Sequence, residues 1–391
     1  MAIEKPTSQL LRILESASPA QRVLKARRPD RYLADSVRFP FLALVGQPEM
    51  KLALILALVN PNVGGVLLIG PRGTGKTTAV RGLIDLLPQV QRGTCVNGLG
   101  CEPDAAFALG IDAVCTDCAT RLGRGESITA PDRMRLVELP LNARLDDVVG
   151  GVDERVALEQ NRVRVVPGLL SSADQNLLHI DEVNLLESAI ADAILDAAAQ
   201  GQYTVRRGPL SATYRARLVL IGSMNPEEGR LRPQIQDRFG LRVLVRGLPD
   251  PEARLEIYHR VRDFRLNPHA VIAAWWDETR IVAEEVAAAR ETLREVTIPH
   301  AIEQIGLKWI RDLCIDSHRA EVTLFEGARA RAAVDDRKEV MREDLAAVAP
   351  MALRQRRSPF IVEYFADQRE EEAEIARVIH LPVRKTRSRR K

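Results

Sequence analysis

Short apolar runs alternate with helical segments over the first 250 residues, and only helical periodicity follows. This predicts an α/β fold: a doubly wound parallel sheet and then an all-helical domain. Three observations carry the expectation. Gly64-Gly65-Val66-Leu67-Leu68-Ile69-Gly70 is apolar without alternation and enters a glycine-rich turn, as a strand buried on both faces does. Leu177-Leu178-His179-Ile180 before Asp181-Glu182, and Arg217–Gly222 before Ser223-Met224-Asn225, repeat that pattern, and Leu241–Val245 closes the series. Helical spacing fills the intervals, at Thr77–Leu87 ahead of Pro88 and at Leu185–Ala199, which is the rhythm of βαβ units.

The character changes after Asp250-Pro251. Glu252–Arg265, Val271–Arg294, Ala301–Cys314, His318–Val334 and Arg342–Arg357 all read as helices. The expected organisation is an N-terminal helical extension at 1–36 and an α/β core at 37–250 with a cysteine-rich insert at 95–118. A helical domain at 251–360 and a charged, flexible tail at 361–391 complete it.

Composition narrows the function. The 391 residues are 46% hydrophobic with a formal net charge of +3, which fits a globular chain and gives no global field for nucleic acid or an anionic membrane. Aromatic residues at 4% leave little for a base-stacking surface. Apolar runs fall short of the ~20 residues a membrane helix needs, and Leu52–Val59 is bracketed by Lys51 and Asn60. The N-terminus lacks the apolar stretch and cleavage site of a secretory signal, so a soluble cytoplasmic protein without a membrane partner is expected.

Gly70-Pro71-Arg72-Gly73-Thr74-Gly75-Lys76-Thr77, followed by Thr78, has the P-loop spacing: two glycines with four residues between them, then Lys and Thr. The glycines let successive backbone N–H groups turn toward phosphates. Lys76 reaches the β- and γ-oxygens, and the Thr77 hydroxyl suits Mg²⁺. The helix that follows aims its positive end at the same anions. The expected ligands are therefore ATP and Mg²⁺. Asp181, at the end of a neighbouring strand, is placed to hold the magnesium, and Glu182 to orient the attacking water. Alone, an Asp-Glu pair after an apolar run is a helix-start signal; the P-loop about a hundred residues upstream favours catalysis. His179 reads as a packing residue.

Four further stretches carry a family resemblance: Phe39–Gln47, Val183-Asn184-Leu185-Leu186, Gly222-Ser223-Met224-Asn225-Pro226-Glu227-Glu228-Gly229, and Leu231–Leu241 with its Asp237-Arg238-Phe239-Gly240. With the P-loop they closely resemble the AAA+ ATPase subunit I of magnesium chelatase, from about Phe39 to about Phe360. The resemblance implies an AAA+ core with a helical lid, and Asn225 as the sensor of the γ-phosphate. It implies Arg238 as an arginine finger given to the next subunit of a ring, and Arg319 as a second sensor on a lid helix, with Arg329 a weaker candidate. Val45 and Gly46 are placed against the adenine, and Val137 to Glu154 resembles loop insertions that could touch a partner. Without the family, Arg238 reads as a solvated surface residue and Arg319 as a helix-surface base. The implied partners are copies of the chain itself (a ring, by analogy a hexamer), a second AAA+-type subunit, and a large porphyrin-binding subunit that inserts Mg²⁺ into protoporphyrin IX.

One feature departs from the compact members of that family: Cys95-x5-Cys101-x13-Cys115-x2-Cys118. Two pairs of thiolates can hold tetrahedral Zn²⁺ as a structural ion. Ordinary reduced thiols, a redox-sensing pair or a disulfide compete with that reading. A metal-insertion or remodelling chaperone with a non-porphyrin client is the alternative within the same enzyme class. A DNA-directed AAA+ protein is another, favoured by Lys25, Arg27, Arg28 and the basic tail, although a solvated tail is the simpler account.

Overall fold

The computed structural model describes residues 37–95, 101, 103, 106, 110, 111, 114–152, 165–208, 210–229, 231–357 and scattered positions from 364 to 379. The expected helical extension at 1–36, with Lys25, Arg27 and Arg28, and the basic residues from Arg384 onward lie outside the described residues.

Helix α1 (Pro48–Val59) begins with proline in its first turn, where the missing N–H costs nothing. Strand β1 (Val66–Ile69) is buried throughout, and helix α2 (Lys76–Gly82) follows the glycine turn. Strands β2 (Gln89–Gly93) and β3 (Thr129–Arg133) form an antiparallel pair whose long connection carries helix α3 (Thr116–Gly123). Next come β4 (Leu136–Glu138), the pair β5 (Gly150–Val152) and β6 (Val165–Pro167), and β7 (Leu177–Ile180). Helix α4 (Ser188–Gln200), the hairpin β8 (Gln202–Arg207) and β9 (Leu210–Arg215), β10 (Val219–Met224), α5 (Pro233–Arg238) and β11 (Leu241–Leu244) complete this half.

Five strands make one sheet in the order β11-β1-β10-β7-β4, every neighbouring pair parallel. Val66 and Leu68 enter one core cluster and Leu67 and Ile69 the other, the alternation of a strand covered on both faces. Parallel strands release their carboxyl ends on one edge, so Gly70, Asp181 and Asn225 emerge side by side although far apart in sequence.

The remaining described elements are helical: α6 (Pro251–Leu266), α7 (Pro268–Ala274), α8 (Trp276–Thr292), α9 (His300–Asp312), α10 (Arg319–Val334) and α11 (Arg342–Leu353). The Asp250 carboxylate caps α6, accepting from the Glu252 and Ala253 N–H groups at 3.2 and 3.3 Å. Val286, Ile310, Leu324 and Val348 share a core with Leu54 and Leu58 of α1. Polar ties reinforce the seam, Arg290 donating to the Leu58 carbonyl at 2.7 Å and Asn60 to the Glu326 carboxylate at 2.7 Å. Among the described residues no helix is long and apolar enough to cross a membrane.

The doubly wound sheet followed by helices is the fold class the sequence predicts, with local differences. The Thr77–Leu87 helix ends at Gly82 and tightens into a 3-10 turn at Leu83–Leu86; Gly82 itself packs so closely on Phe39 and Phe41 that a Cβ would sit 3.0 Å from backbone. The helix expected at Leu185–Ala199 starts later, at Ser188, after a 3-10 turn at Val183–Leu185. The expected Val271–Arg294 helix is two helices broken at Trp275, over whose ring the Arg260 guanidinium stacks at 5.2 Å. Arg342–Arg357 stops at Leu353; Pro350 removes a helical donor, and Arg356 turns inward to bond the Phe239 and Gly240 carbonyls. The segment expected as a loop from Val137 begins instead in the central sheet, where β4 pairs with β7.

Candidate active site

At the carboxyl edge a cavity of about 270 Å³ is lined by Arg72–Thr78, Asp181, Glu182 and Ser223–Asn225. Gly73 and Gly75 hold φ of +77° and +85°, left-handed values that only glycine adopts freely, and open space lies where their Cβ atoms would project. The loop is thus a cradle with room for phosphate. Lys76 is buried, and its Nζ donates to the Gly70 and Pro71 carbonyls at 2.7 and 2.8 Å. Burial pulls its pKa below the ordinary 10.5, while Asp181, Glu228 and Glu182 oppose the shift. A buried ammonium resting on loop carbonyls has donors ready for an anion. Thr74 Oγ1 donates to the Pro71 carbonyl at 3.0 Å and steadies the turn.

The Thr77 hydroxyl donates to Asp181 Oδ2 at 3.1 Å, and the Ser223 hydroxyl donates to Asp181 Oδ1. These oxygens form a hard-donor set that suits Mg²⁺. Glu182 has φ +52°, a left-handed backbone that costs of order 1 kcal/mol for a residue with a Cβ. Its carboxylate meets Arg72 Nη2 at 3.4 Å, and Arg72 also pairs with Glu228. The Asn225 amide donates to Glu228 at 3.1 Å and accepts from the Glu227 N–H at 3.2 Å.

A second cavity of about 450 Å³ adjoins the first and shares Gly73, Thr74, Gly75 and Thr78 with it. Val45, Leu44, Met50, Leu248, Ile257 and Val261 give it an apolar lining, the kind of wall that takes a purine. Gly46 holds the approach to that wall at φ +64°, where a Cβ would meet Leu248 at 2.9 Å.

Arg238 and Arg319 are placed elsewhere. The Gly240 and Leu241 N–H groups donate to the Gly64 and Gly65 carbonyls at 3.0 Å, so Arg238, just upstream, lies at the amino edge of the sheet. Arg238 pairs with Asp196 at 2.8 Å and bonds the Asp192 carbonyl at 3.4 Å, both on α4. Arg319 opens α10 and reaches Asp237 at 4.0 Å. The two arginines line a cavity of about 170 Å³ that contains no P-loop residue, so Arg319 does not join the nucleotide cavity of its own chain. Arg329 points to the Val296 carbonyl at 3.1 Å and Glu326 at 3.0 Å, an internal tie and not a site contact.

Sequence reasoning misses several participants. Ser223 is signalled only as a polar residue inside an otherwise apolar strand, and it is buried beside Asp181. Asp237 is missed as a hub: it accepts from Arg356 at 2.9 Å, Arg242 at 3.3 Å and Ser317 at 3.4 Å. Arg242 is fully buried, and burial lowers its pKa to about 10. His179 is buried as expected but also polar in role: its Nδ1 meets Glu138 at 3.4 Å, and with Arg81 it holds the Glu138 carboxyl down at about 2. The four insert cysteines come together, and burial pushes the Cys118 thiol up to about 12.

Residues 154–239 match the family described as magnesium chelatase, subunit ChlI, and residues 311–378 match the AAA lid domain family. The magnesium-chelatase subunit ChlI homolog of Methanocaldococcus jannaschii is 41% identical over 326 residues, 82% of this chain and 87% of that protein. The magnesium-chelatase 38 kDa subunit of Acidiphilium rubrum is 42% identical over 318 residues, 81% of this chain and 90% of that protein. A chain in a structure of the complex between subunits BchI and BchD of magnesium chelatase is 38% identical. The match covers 84% of this chain and 99% of that one, with a TM-score of 0.44. With relatives above 40% identity along four fifths of its length and the P-loop cavity at its sheet edge, the chain belongs to the magnesium-chelatase subunit ChlI family of AAA+ ATPases.

Proposed function

We propose that this chain is the motor of a magnesium-chelatase-type complex, a cytoplasmic ring in which each nucleotide site is completed by the next copy. One observation carries the reading: Lys76, Thr77, Asp181 and Glu182 gather at the carboxyl edge of the sheet, Arg238 and Arg319 at the amino edge. The five residue steps from Gly65 to Gly70 span about 16 Å, so neither arginine serves its own cavity. A neighbouring copy that presents its amino edge to this carboxyl edge brings them within reach.

In that arrangement the loop N–H groups and Lys76 bind the β- and γ-phosphates, and the apolar cavity beside Val45 and Gly46 takes the adenine. Thr77 and Asp181 would hold Mg²⁺, which would supply positive charge against the phosphates. Glu182 orients the attacking water and Asn225 reports the γ-phosphate. Arg238 of the next copy stabilises charge as the γ-phosphoryl leaves, and Arg319 assists from the same edge. A ring of six is the arrangement we favour. Its strokes act on a second AAA+-type subunit and on a large porphyrin-binding subunit that inserts Mg²⁺ into protoporphyrin IX.

ATP turnover measured against protein concentration, with and without Mg²⁺, tests the shared site. A steep Mg²⁺-dependent rise is expected; a flat rate untouched by Arg238→Ala contradicts it. Adding the two partner subunits and protoporphyrin IX tests the client: Mg-protoporphyrin fluorescence should grow only while ATP is hydrolysed. Its absence with all partners active overturns the chelatase assignment and leaves the ATPase standing.

A further inference from the structure

The β2–β3 connection holds a group that the ATPase chemistry does not use. The Sγ atoms of Cys95, Cys101, Cys115 and Cys118 all lie within 4.8 Å of one another, and none of these cysteines is in a disulfide. Cys95 and Cys115 sulfurs are 3.7 Å apart. That is far beyond the ~2.05 Å of a disulfide. It matches the roughly 3.8 Å edge of a tetrahedron built on ~2.3 Å zinc–sulfur bonds. Sulfurs this close together leave no room for a multi-iron cluster between them.

The backbone is arranged for the same purpose. Cys115 directly precedes α3 and Cys118 sits in its first turn, so the Cys-x2-Cys pair faces one way. The Cys115 N–H donates to Cys101 Sγ at 3.2 Å, which ties the first half of the set to the second. Arg121, one turn past Cys118, spans the Thr94 carbonyl at 3.2 Å and the Ser127 carbonyl, tying α3 to both ends of the hairpin. Among the described residues the four cysteines sit in a cluster of their own: Cys101 and Cys118 are buried with Val114 and Ile128, and Cys95, Cys115, Ala119 and Leu122 pack against them, separate from the two main cores.

We propose that Cys95, Cys101, Cys115 and Cys118 bind one structural Zn²⁺ that folds this insert. Binding forms four zinc–sulfur bonds and releases four protons to solvent, with no change of oxidation state.

The test uses the full chain purified under reducing conditions. One zinc per chain is expected by mass spectrometry of metals. Of the five thiols only the exposed Cys314 should react promptly with Ellman's reagent, and all five should after denaturation with EDTA. Cys118→Ser should lose bound zinc roughly ten-fold or more, and Cys314→Ser should keep it. Exchange of wild type into Co²⁺ gives a readout independent of any variant's folding: tetrahedral thiolate coordination produces intense absorption in the visible and near ultraviolet. Metal-free protein with five prompt thiols and no cobalt–thiolate band overturns the proposal. So does a denatured thiol count of one or three without reductant, which would mean disulfides.

Discussion

The two edges of the central sheet carry different clusters of charge. At the carboxyl edge, Asp181, Glu182 and Glu228 surround a buried lysine and an exposed arginine. At the amino edge, Arg242, Arg319 and Arg356 converge on Asp237, and Arg238 rests on Asp192 and Asp196. Parallel strand polarity imposes this division, because every β-to-α turn opens on one edge and every return turn on the other. In our reading a single copy binds nucleotide and polarises water at one edge and holds guanidinium groups at the other. In our reading only assembly brings the two together, which makes hydrolysis conditional on the ring.

Breaking either half should give unequal effects. The largest is expected for Arg238→Ala, with ATP turnover at ring-forming concentration falling ~10³-fold or more while nucleotide affinity of the isolated chain is unchanged. Glu182→Gln should slow hydrolysis ~10²–10³-fold with ATP still bound, seen as a trapped complex in a filter assay. Asp237→Ala works through stability. It removes the carboxylate beside two buried guanidinium groups that keep their carbonyl partners, so chemical denaturation should report a loss on the order of 2–3 kcal/mol. The smallest effect concerns Glu138. Its folded pKa of about 2 lies below the ordinary 4.5, so its contribution is complete above that value and fades as pH falls toward 2. Since the carboxylate is well exposed, Glu138→Gln should lower stability slightly above pH 4.5 and leave it unchanged near pH 2, so that the acid limb flattens, measured by urea midpoints between pH 2 and 6.

What could be read from the sequence follows the range of the interactions involved. Lys76 and Thr77 are fixed by spacing within eight residues, and Asp181 by the end of an apolar run, so their convergence was legible. The three-residue β4 and the hairpin β8–β9 are too short or too polar to announce themselves, and pairing decides them. Asp237 draws its partners from Arg242, Ser317 and Arg356, up to 119 residues away, and no local pattern encodes such a hub. The break at Trp275 was hidden for a similar reason: Arg260 from another helix takes its ring. The cysteine spacing left zinc, thiol and disulfide readings open, and only the placement of all four sulfurs narrowed them.

The most direct test of a site shared between copies is complementation. Glu182→Gln and Arg238→Ala proteins, each inactive alone, are mixed one to one and ATP turnover is followed as subunits exchange. If Arg238 serves its neighbour, a copy keeping Glu182 meets a copy keeping Arg238 at about a quarter of random interfaces, and turnover should recover to roughly that fraction of wild type. Turnover that stays at the level of the separate variants, with mixed rings demonstrated, would contradict the shared site and return Arg238 to its ion pairs with α4.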